Sequence, residues 1–295
     1  MNKVMKKLLC ACLALAMLIT VIPSVTAEAA TKTEKMTLYK GEVVSVSTLL
    51  GTIKSVSSSK KSVVSAKKDS GKAVITAKKT GKATVSVKTN RGTFKYVITV
   101  KKFDIKVTIS DMGNGYMLLK VKNNTKQTFS SIDVDYTIKN DQGATVKTDT
   151  KSVYDVVAGK TVYDTVYYDS YTYTVDESKC SAKARVSTSY GGGRSLTSTY
   201  KNVVSKIKTT ISEDTSEENT VKLTFKSKNT QKKDYAYVKH YVLVYNSMDQ
   251  VIGLRTVSFS LKAGKLDSYS INLDTKYGYK DYSRYKVVTV AYSRI

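Results

Sequence analysis

Residues able to do acid–base or nucleophilic chemistry are few in this chain of 295 residues. His240 is the single histidine, in the strand-like stretch HYVLVY, and two of the three cysteines, Cys10 and Cys12, lie in an apolar run near the N-terminus. A zinc site or a serine hydrolase arrangement needs several such side chains together. The sequence therefore predicts no catalytic residue, no metal site and no cofactor, and it predicts that the protein is not an enzyme.

Carboxylates cluster in three places along the sequence. They are Asp133 with Asp135, Asp164 with Asp169, and the run EDTSEEN at residues 213–219. Asp133 and Asp135 share a strand face opposite Ile132 and Val134, so we expect both to point to solvent, with the ordinary acidity that makes a poor glycosidase pair. EDTSEEN is expected to be an exposed loop; a calcium site there stays an alternative, although the EF-hand spacing is absent.

Lysine side chains dominate the charge of the chain. The sequence has 49 Lys and Arg against 24 Asp and Glu, a net charge of +25, and residues 30–102 hold 17 basic and three acidic side chains. In that segment Val74, Val85 and Val87 keep the alternation of a strand with one buried face, so the lysines decorate a folded domain and not a disordered arm. The candidate residues for polyanion contact are Lys60, Lys61, Lys67, Lys68, Lys78, Lys79 and Lys82.

Two interpretations of these lysines stay open. They are solvated turn residues that keep sheet edges unpaired, or they attract an anionic polymer through unspecific charge. Nucleic acid is not an expected partner, because proteins that bind it usually combine arginines with an ordered aromatic platform. The lysine-rich segment has one arginine, Arg91, and few aromatic residues.

The first 29 residues have the pattern of a secretory signal peptide. Lys3, Lys6 and Lys7 precede an apolar run, and Ala27-Glu28-Ala29 supplies a small-x-small cleavage pattern. No later apolar run reaches the ~18–20 residues that span a bilayer, so no transmembrane segment is predicted in the mature chain. Cleavage leaves Cys180 as the one cysteine, and it either lies buried or forms an intermolecular disulfide.

The elements that carry these residues are predicted to be strands. Alternation of apolar and polar residues recurs along the chain, as in Ile132–Val134–Tyr136, and Gly, Asn and Asp turns separate the runs. LLKVKNNTKQTFSSIDVDYTIKNDQGATV from Leu118 is repeated about 105 residues later from Lys222, and AGK follows both copies. We therefore predict an all-β chain of three tandem Ig-like antiparallel β-sandwiches, each with its own core, at residues 32–101, 103–204 and 206–295.

The first of these segments has a recognisable order of elements. Leu38 with Gly41 is followed by the serine turn 57–59 before Val63-Val64, and the turn 77–81 leads into the strand 83–87. In this order and spacing, residues 32–101 resemble a bacterial Ig-like domain of group 2. The resemblance implies a short β-sandwich of the kind found in bacterial surface and secreted proteins, without catalytic residues.

The two later segments share another pattern. An Asn-rich strand end at 123–125 is followed by the long strand 132–138, the Asn/Asp-Gly turn 140–143 and the return Ala158-Gly159-Lys160. With this pattern they resemble the FxLYD-type sandwich modules of secreted bacterial proteins. That resemblance also implies no catalytic residues.

Tyrosine is the most informative uncharged residue type, with 22 copies and no tryptophan in the chain. Tyrosines fill sandwich cores and also offer rigid amphipathic area for contacts. The segment KYGYKDYSRYK suggests a contact patch, whose candidate residues are Tyr277, Tyr279, Tyr282 and Tyr285. Core packing is the alternative for each of these rings.

These observations predict a non-catalytic secreted or cell-surface protein whose Ig-like modules act as a spacer or binding rod. The lysines would hold it to anionic cell-wall polymers, with surface glycans or proteins as further partners. The alternative is a carbohydrate-recognition module that uses exposed tyrosines of the second and third segments. An exposed row of rings would favour the alternative, and buried rings would favour the scaffold.

Overall fold

The computed structural model describes residues 31–47, 51–187, 200–232 and 234–294. The predicted signal peptide, residues 1–29, lies outside the described residues. The described chain is built from β-strands, with short 3₁₀ turns at Glu177–Lys179 and Val204–Lys206 and no α-helix. The prediction of an all-β sandwich fold is therefore confirmed.

The first stretch of chain forms two sheets, which we call the N-terminal sheet pair. Its strands are β1 (Thr31–Tyr39), β2 (Val43–Val46), β3 (Ile53–Ser58), β4 (Val64–Asp69), β5 (Lys72–Ala77), β6 (Gly81–Thr89) and β7 (Gly92–Lys101). One sheet has the order β1-β7-β6-β3 and the other β2-β5-β4. Alternate side chains of the strands, such as Val85 and Val87, are fully buried between the sheets, as the period of a half-buried strand requires.

One pairing departs from the antiparallel arrangement expected from the sequence. Strand β1 runs parallel to β7, with Thr31 opposite Thr93 and Tyr39 opposite Lys101. A parallel pair needs a crossover connection, and here the intervening strands of both sheets supply it. The edge of β7 is thereby covered by the first described strand.

The second stretch forms the middle sheet pair. Its strands are β8 (Ile105–Asp111), β9 (Tyr116–Asn123), β10 (Phe129–Lys139), β11 (Thr145–Val156), β12 (Thr161–Tyr167) and β13 (Ser181–Val186). The sheets have the orders β11-β10-β13 and β12-β9-β8. Fully buried apolar residues such as Leu119 and Ile132 fill the space between them.

The third stretch forms the C-terminal sheet pair. Its strands are β14 (Tyr200–Asn202), β15 (Ile207–Asp214), β16 (Thr220–Asn229), β17 (Ala236–Asn246), β18 (Val251–Leu261), β19 (Leu266–Asp274) and β20 (Tyr282–Arg294). The sheets have the orders β14-β20-β17-β18 and β15-β16-β19. Apart from the added β14, this is the strand order of the middle sheet pair, so the sequence repeat corresponds to a repeated topology.

The sheet pairs are packed against one another through aromatic side chains. Tyr39 of the N-terminal pair lies 5.1 Å from Phe129 of the middle pair, and Phe103 lies 5.4 Å from Phe129, measured between ring centroids. Tyr163 of the middle pair meets Tyr241 of the C-terminal pair at 5.6 Å. Three separate cores were expected, but the buried cluster of the middle pair continues through these rings into both neighbours. At the C-terminal pair the reason is that strand β17 buries both of its faces, and at the N-terminal pair it is that Tyr39 packs into the middle cluster.

Candidate functional site

Five of the seven candidate lysines lie together at one end of the N-terminal sheet pair. We call this set, Lys60, Lys61, Lys78, Lys79 and Lys82, the lysine end. The carbonyl of Val63, just after Lys60 and Lys61, accepts hydrogen bonds from the backbone amides of Lys78 (2.8 Å) and Lys79 (3.2 Å). Two loops 18 residues apart in sequence are therefore held side by side, and all five lysines are exposed.

A second bridge fixes the same two loops. The amide of Ser59 donates to the carbonyl of Thr84, and the amide of Thr84 donates to Oγ of Ser59, each at 2.9 Å. Gly81 adopts φ +143° and lies against Val63. Backbone hydrogen bonds, together with the one to the Ser59 hydroxyl, therefore hold the two loops against each other.

Lys67 and Lys68 lie apart from the lysine end. Both are on β4, opposite Val74 and Ala73 of β5, and both are exposed. Lys67 also forms an ion pair of 3.1 Å with Asp69, and together with Ser70 it holds the pKa of that carboxyl below its usual value. The predicted set of seven is thus divided into a group of five and a strand pair.

Two of the three acidic residues of the segment form ion pairs with lysines outside the lysine end. Glu34 pairs with Lys32 at 2.9 Å, and Asp69 pairs with Lys67. Glu42 is buried, and one of its oxygens accepts a hydrogen bond of 2.8 Å from the amide of Tyr39. Among the described residues, no ion pair involves a lysine of the lysine end.

The four tyrosines predicted as a contact patch do not form an exposed row. Tyr277 is 73% exposed, but Tyr279, Tyr282 and Tyr285 are partly buried against the core of the C-terminal sheet pair. Burial raises the pKa of all three hydroxyls. Tyr279 packs on Gly253, where a Cβ would overlap its ring. Tyr282 and Tyr285 reach the same face of β20 although they are three residues apart, because the pairing with β17 shifts by one residue between them.

Another group of tyrosines, which sequence reasoning did not single out, lines an open surface pocket of about 350 Å³, which we call the tyrosine cavity. Its described lining is Tyr200, Asp234, Tyr235, Tyr237, Ser260 and Tyr292. These residues are spread over nearly a hundred positions, so no local motif marks them. Only the cross-strand register, in which Tyr237 lies opposite both Tyr292 and Ser260, brings them together.

His240 and Cys180, whose side chains could act as a base or a nucleophile, are packed within the β-sandwich. His240 is fully buried between Ser227 and Thr289. Cys180 is free and half-buried beside β13, and burial raises the pKa of its thiol. In the part of the chain that the structure describes, no three His, Cys, Asp or Glu side chains are grouped as metal ligands, and no helix is long and apolar enough to cross a bilayer.

The expectation that Asp133 points to solvent is wrong. Asp133 is 1% exposed and accepts a hydrogen bond of 2.6 Å from Nη1 of Arg185, while Asp135 on the same face is exposed and accepts from Nε of Arg185. Ser152 and Thr150 of β11 also donate to the two carboxylates. A single arginine on the neighbouring strand therefore covers the first carboxylate, and the pair is structural.

Comparisons with known proteins leave the family open. No family model and no curated protein matches the chain. Solved structures with partial similarity include a putative β-galactosidase from Bacteroides fragilis (15% identity, TM-score 0.20, 60% of this chain and 30% of that one). A β-glucuronidase from Bacteroides uniformis has 13% identity and a TM-score of 0.16 over 54% of this chain and 21% of that one.

A third structure is the C-terminal globular domain of an oligosaccharyltransferase from Pyrococcus abyssi. It has 8% identity and a TM-score of 0.15, over 79% of this chain and 51% of that one. The chain thus spans about half or less of each matched chain. These TM-scores are too low to relate the folds, and we draw nothing about this protein from them.

Proposed function

We propose that this protein is a non-catalytic, exported β-sandwich rod that is held to anionic cell-wall polymers by its lysine-rich first module. In this proposal the three sheet pairs are three modules, at residues 32–101, 103–204 and 206–295. Export is proposed from the signal-peptide pattern of residues 1–29. The observation that carries polymer binding is the lysine end, with five exposed ammonium groups on two backbone-linked loops.

The charge balance around the lysine end favours contact with a polyanion. Two of the three acidic residues of the segment, Glu34 and Asp69, are paired elsewhere, with Lys32 and with Lys67. Like charges held together repel one another in the free protein, and a phosphate-bearing polymer relieves that repulsion. Lysine binds such a polymer as a point charge and not through a two-pronged geometry, so the binding is unspecific and depends on salt.

The packing between sheet pairs supports the rod. The Tyr39–Phe103–Phe129 cluster and the Tyr163–Tyr241 contact are the joints of this rod. Aromatic side chains bury large areas and hold specific orientations, so the joints are semi-rigid. Retention by the first module then positions the other two at a fixed distance from the wall.

The proposal is tested with a variant in which the five lysines of the lysine end are replaced by serine. We expect its binding to a soluble glycerol-phosphate polymer at low salt to weaken by at least roughly tenfold, since each lysine near an anionic surface contributes about 1 kcal/mol. Binding of the unchanged protein should itself fall as salt is raised. Titration calorimetry measures both.

A matched control removes the same charge elsewhere. Lys222, Lys226, Lys228, Lys262 and Lys265 are also exposed, and their replacement by serine should weaken binding much less. Equal weakening in both variants would show that net charge alone acts, and would contradict a role for the lysine end. No weakening in either would contradict polymer binding by lysine.

A further inference from the structure

The tyrosine cavity described above lies on the face of strands β20 and β17 that points away from their own core. Tyr237 of β17 lies opposite Tyr292 of β20, and the two rings are 5.1 Å apart. Tyr200 of β14 meets Tyr292 edge-on, also at 5.1 Å. Tyr235, which precedes β17, is 60% exposed at the rim. Four rings from three neighbouring strands and one loop thus surround one space.

The cavity is held in shape by contacts outside it. The hydroxyl of Tyr292 donates a hydrogen bond of 2.7 Å to Asp155 of the middle sheet pair. The carbonyl of Asp234 accepts a hydrogen bond of 3.2 Å from the buried side chain of Asn229, which fixes the loop that carries Tyr235. A site whose rings are fixed before the ligand arrives loses less entropy on binding.

The lining has the chemistry that a sugar ring requires. Besides the ring faces it presents oxygen groups, namely the Asp234 carboxylate, the Ser260 hydroxyl and tyrosine hydroxyls, and no aliphatic side chain lines it among the described residues. Cavities that bind small ligands combine such aromatic walls with a few polar groups and measure ~300–1,000 Å³. About 350 Å³ is the lower end of that range, which suits a single ring.

We propose that this cavity binds one ring of a neutral β-linked glucopyranose-type oligosaccharide. In that configuration every hydroxyl is equatorial, so both ring faces carry only C–H bonds and can lie on tyrosine. The equatorial hydroxyls at the ring edge then meet Asp234 and Ser260, which accept and donate hydrogen bonds. A neutral ligand is not repelled by a chain of net charge +25.

Two other aromatic clusters are closed, in contrast to this one, whereas Tyr116 and Tyr167 form a further exposed pair with 5.4 Å between ring centroids. Tyr39 and Phe129 are buried at the joint between sheet pairs. Tyr245, on the same face of β17 as Tyr237, already carries the guanidinium of Arg284 at 3.8 Å from its ring centroid. No described lysine or arginine covers Tyr235 or Tyr237 in this way, and Tyr235 is 60% exposed.

The test is titration calorimetry of the full mature chain with chitotriose and cellotriose. We expect binding of at least one trisaccharide that does not change with salt, and no binding of sorbitol, which has the hydroxyls without the ring. Replacing Tyr235 or Tyr237 by alanine should weaken binding by roughly tenfold, the usual effect of losing one aromatic contact. Tyr235→Phe keeps the ring and should keep most of the affinity.

Tyr277→Ala is the matched control, because Tyr277 is exposed but lies outside the cavity lining. It should bind like the unchanged protein. Tyr235 is mostly exposed, so its variants test the site even where Tyr237→Ala fails to fold. Absence of binding by both trisaccharides, or an equal loss in Tyr277→Ala, would overturn the proposal. The lysine end is not involved, so failure here leaves polymer binding untouched, and the reverse also holds.

Discussion

Polar residues in the core are surrounded by neighbours that pack against them and form hydrogen bonds with them. His240 is the clearest case. Its ring stacks on Phe225 with 4.9 Å between centroids, Nδ1 lies 2.8 Å from Thr289 Oγ1, and Nε2 lies 3.1 Å from Ser227 Oγ. Burial lowers the pKa of His240 to about 4. The sequence places His240 in a strand-like stretch, and the structure shows that it is fully buried in β17.

This lowered pKa predicts a loss of stability in mild acid. The unfolded chain takes up a proton near its ordinary pKa of 6.5, whereas the folded protein does so only near 4. The contribution of neutral His240 to the free energy of unfolding is therefore fully present above pH ~6.5 and is lost as the pH drops towards 4. At pH 5 the loss due to His240 is about 2 kcal/mol. Urea unfolding at pH 7 and pH 5 measures it.

His240→Gln separates this effect from general acid sensitivity. The variant has a lower free energy of unfolding at pH 7, but it lacks the proton uptake and should lose about 2 kcal/mol less than the unchanged protein between the two pH values. An identical pH dependence in both proteins would show that His240 does not titrate in this range.

At the level of strands, cross-strand neighbours decide which charges are buried. Arg185 of β13 and Ser152 of β11 both lie opposite Asp133 of β10. The alternation of β10 correctly places Ile132 and Val134 in the core. It gives no information on what covers the opposite face, since that depends on a partner strand about fifty residues away.

The covered carboxylate makes Arg185 important for stability. Arg185→Met keeps the aliphatic part of the side chain but leaves Asp133 buried without its cation. The free energy of unfolding should fall by about 2–3 kcal/mol. This is a little less than for a fully buried ion pair, because Arg185 is partly exposed. Chemical denaturation measures the loss.

The matched control is Lys67→Met, which breaks the ion pair with Asp69 where both side chains are exposed. Exposed pairs contribute little, so the free energy of unfolding should change much less than in Arg185→Met. If Arg185→Met lowers the free energy of unfolding no more than Lys67→Met does, the ion pair with Arg185 does not stabilise the buried Asp133 carboxylate.

The repeated turns show how much of the fold the sequence predicts. Asn123 and Asn229 are both fully buried, and each side-chain amide donates to the carbonyl of the last residue of a strand in the facing sheet, Val156 of β11 or Leu261 of β18. The glycines of the two AGK turns have nearly the same φ, +70° and +71°, a left-handed conformation that glycine adopts freely. Such local requirements recur in the sequence, so the repeat could be recognised from it.

On the scale of the whole molecule, the sequence predicts strands and turns better than it predicts contacts between sheet pairs. Strand β17 contains both Val242 and Val244 on its core face and Tyr241 and Leu243 on the other, and all four are buried. Alternation identifies the first pair, but the second is covered only because the middle sheet pair packs there. The tyrosine cavity beside this contact was missed for the same reason.

The charge of the molecule is arranged unevenly over these packed sheets. The lysine end lies at one end of the N-terminal sheet pair, while the tyrosine cavity lies on the C-terminal sheet pair. The two surfaces that we propose for a charged and for a neutral polymer are therefore separate. Lysines on turns could be recognised in the sequence, but their division into a group of five and a separate pair depends on the register of β4 and β5.

Retention on purified cell walls tests the central claim most directly. Walls that keep their phosphate polymers and walls from which these polymers have been extracted are incubated with the mature protein across a salt series. We expect strong retention on the first at low salt, release as salt shortens the Debye length below ~8 Å, and little retention on the second. Equal retention on both kinds of wall, unchanged by salt, would contradict electrostatic attachment through the lysine end.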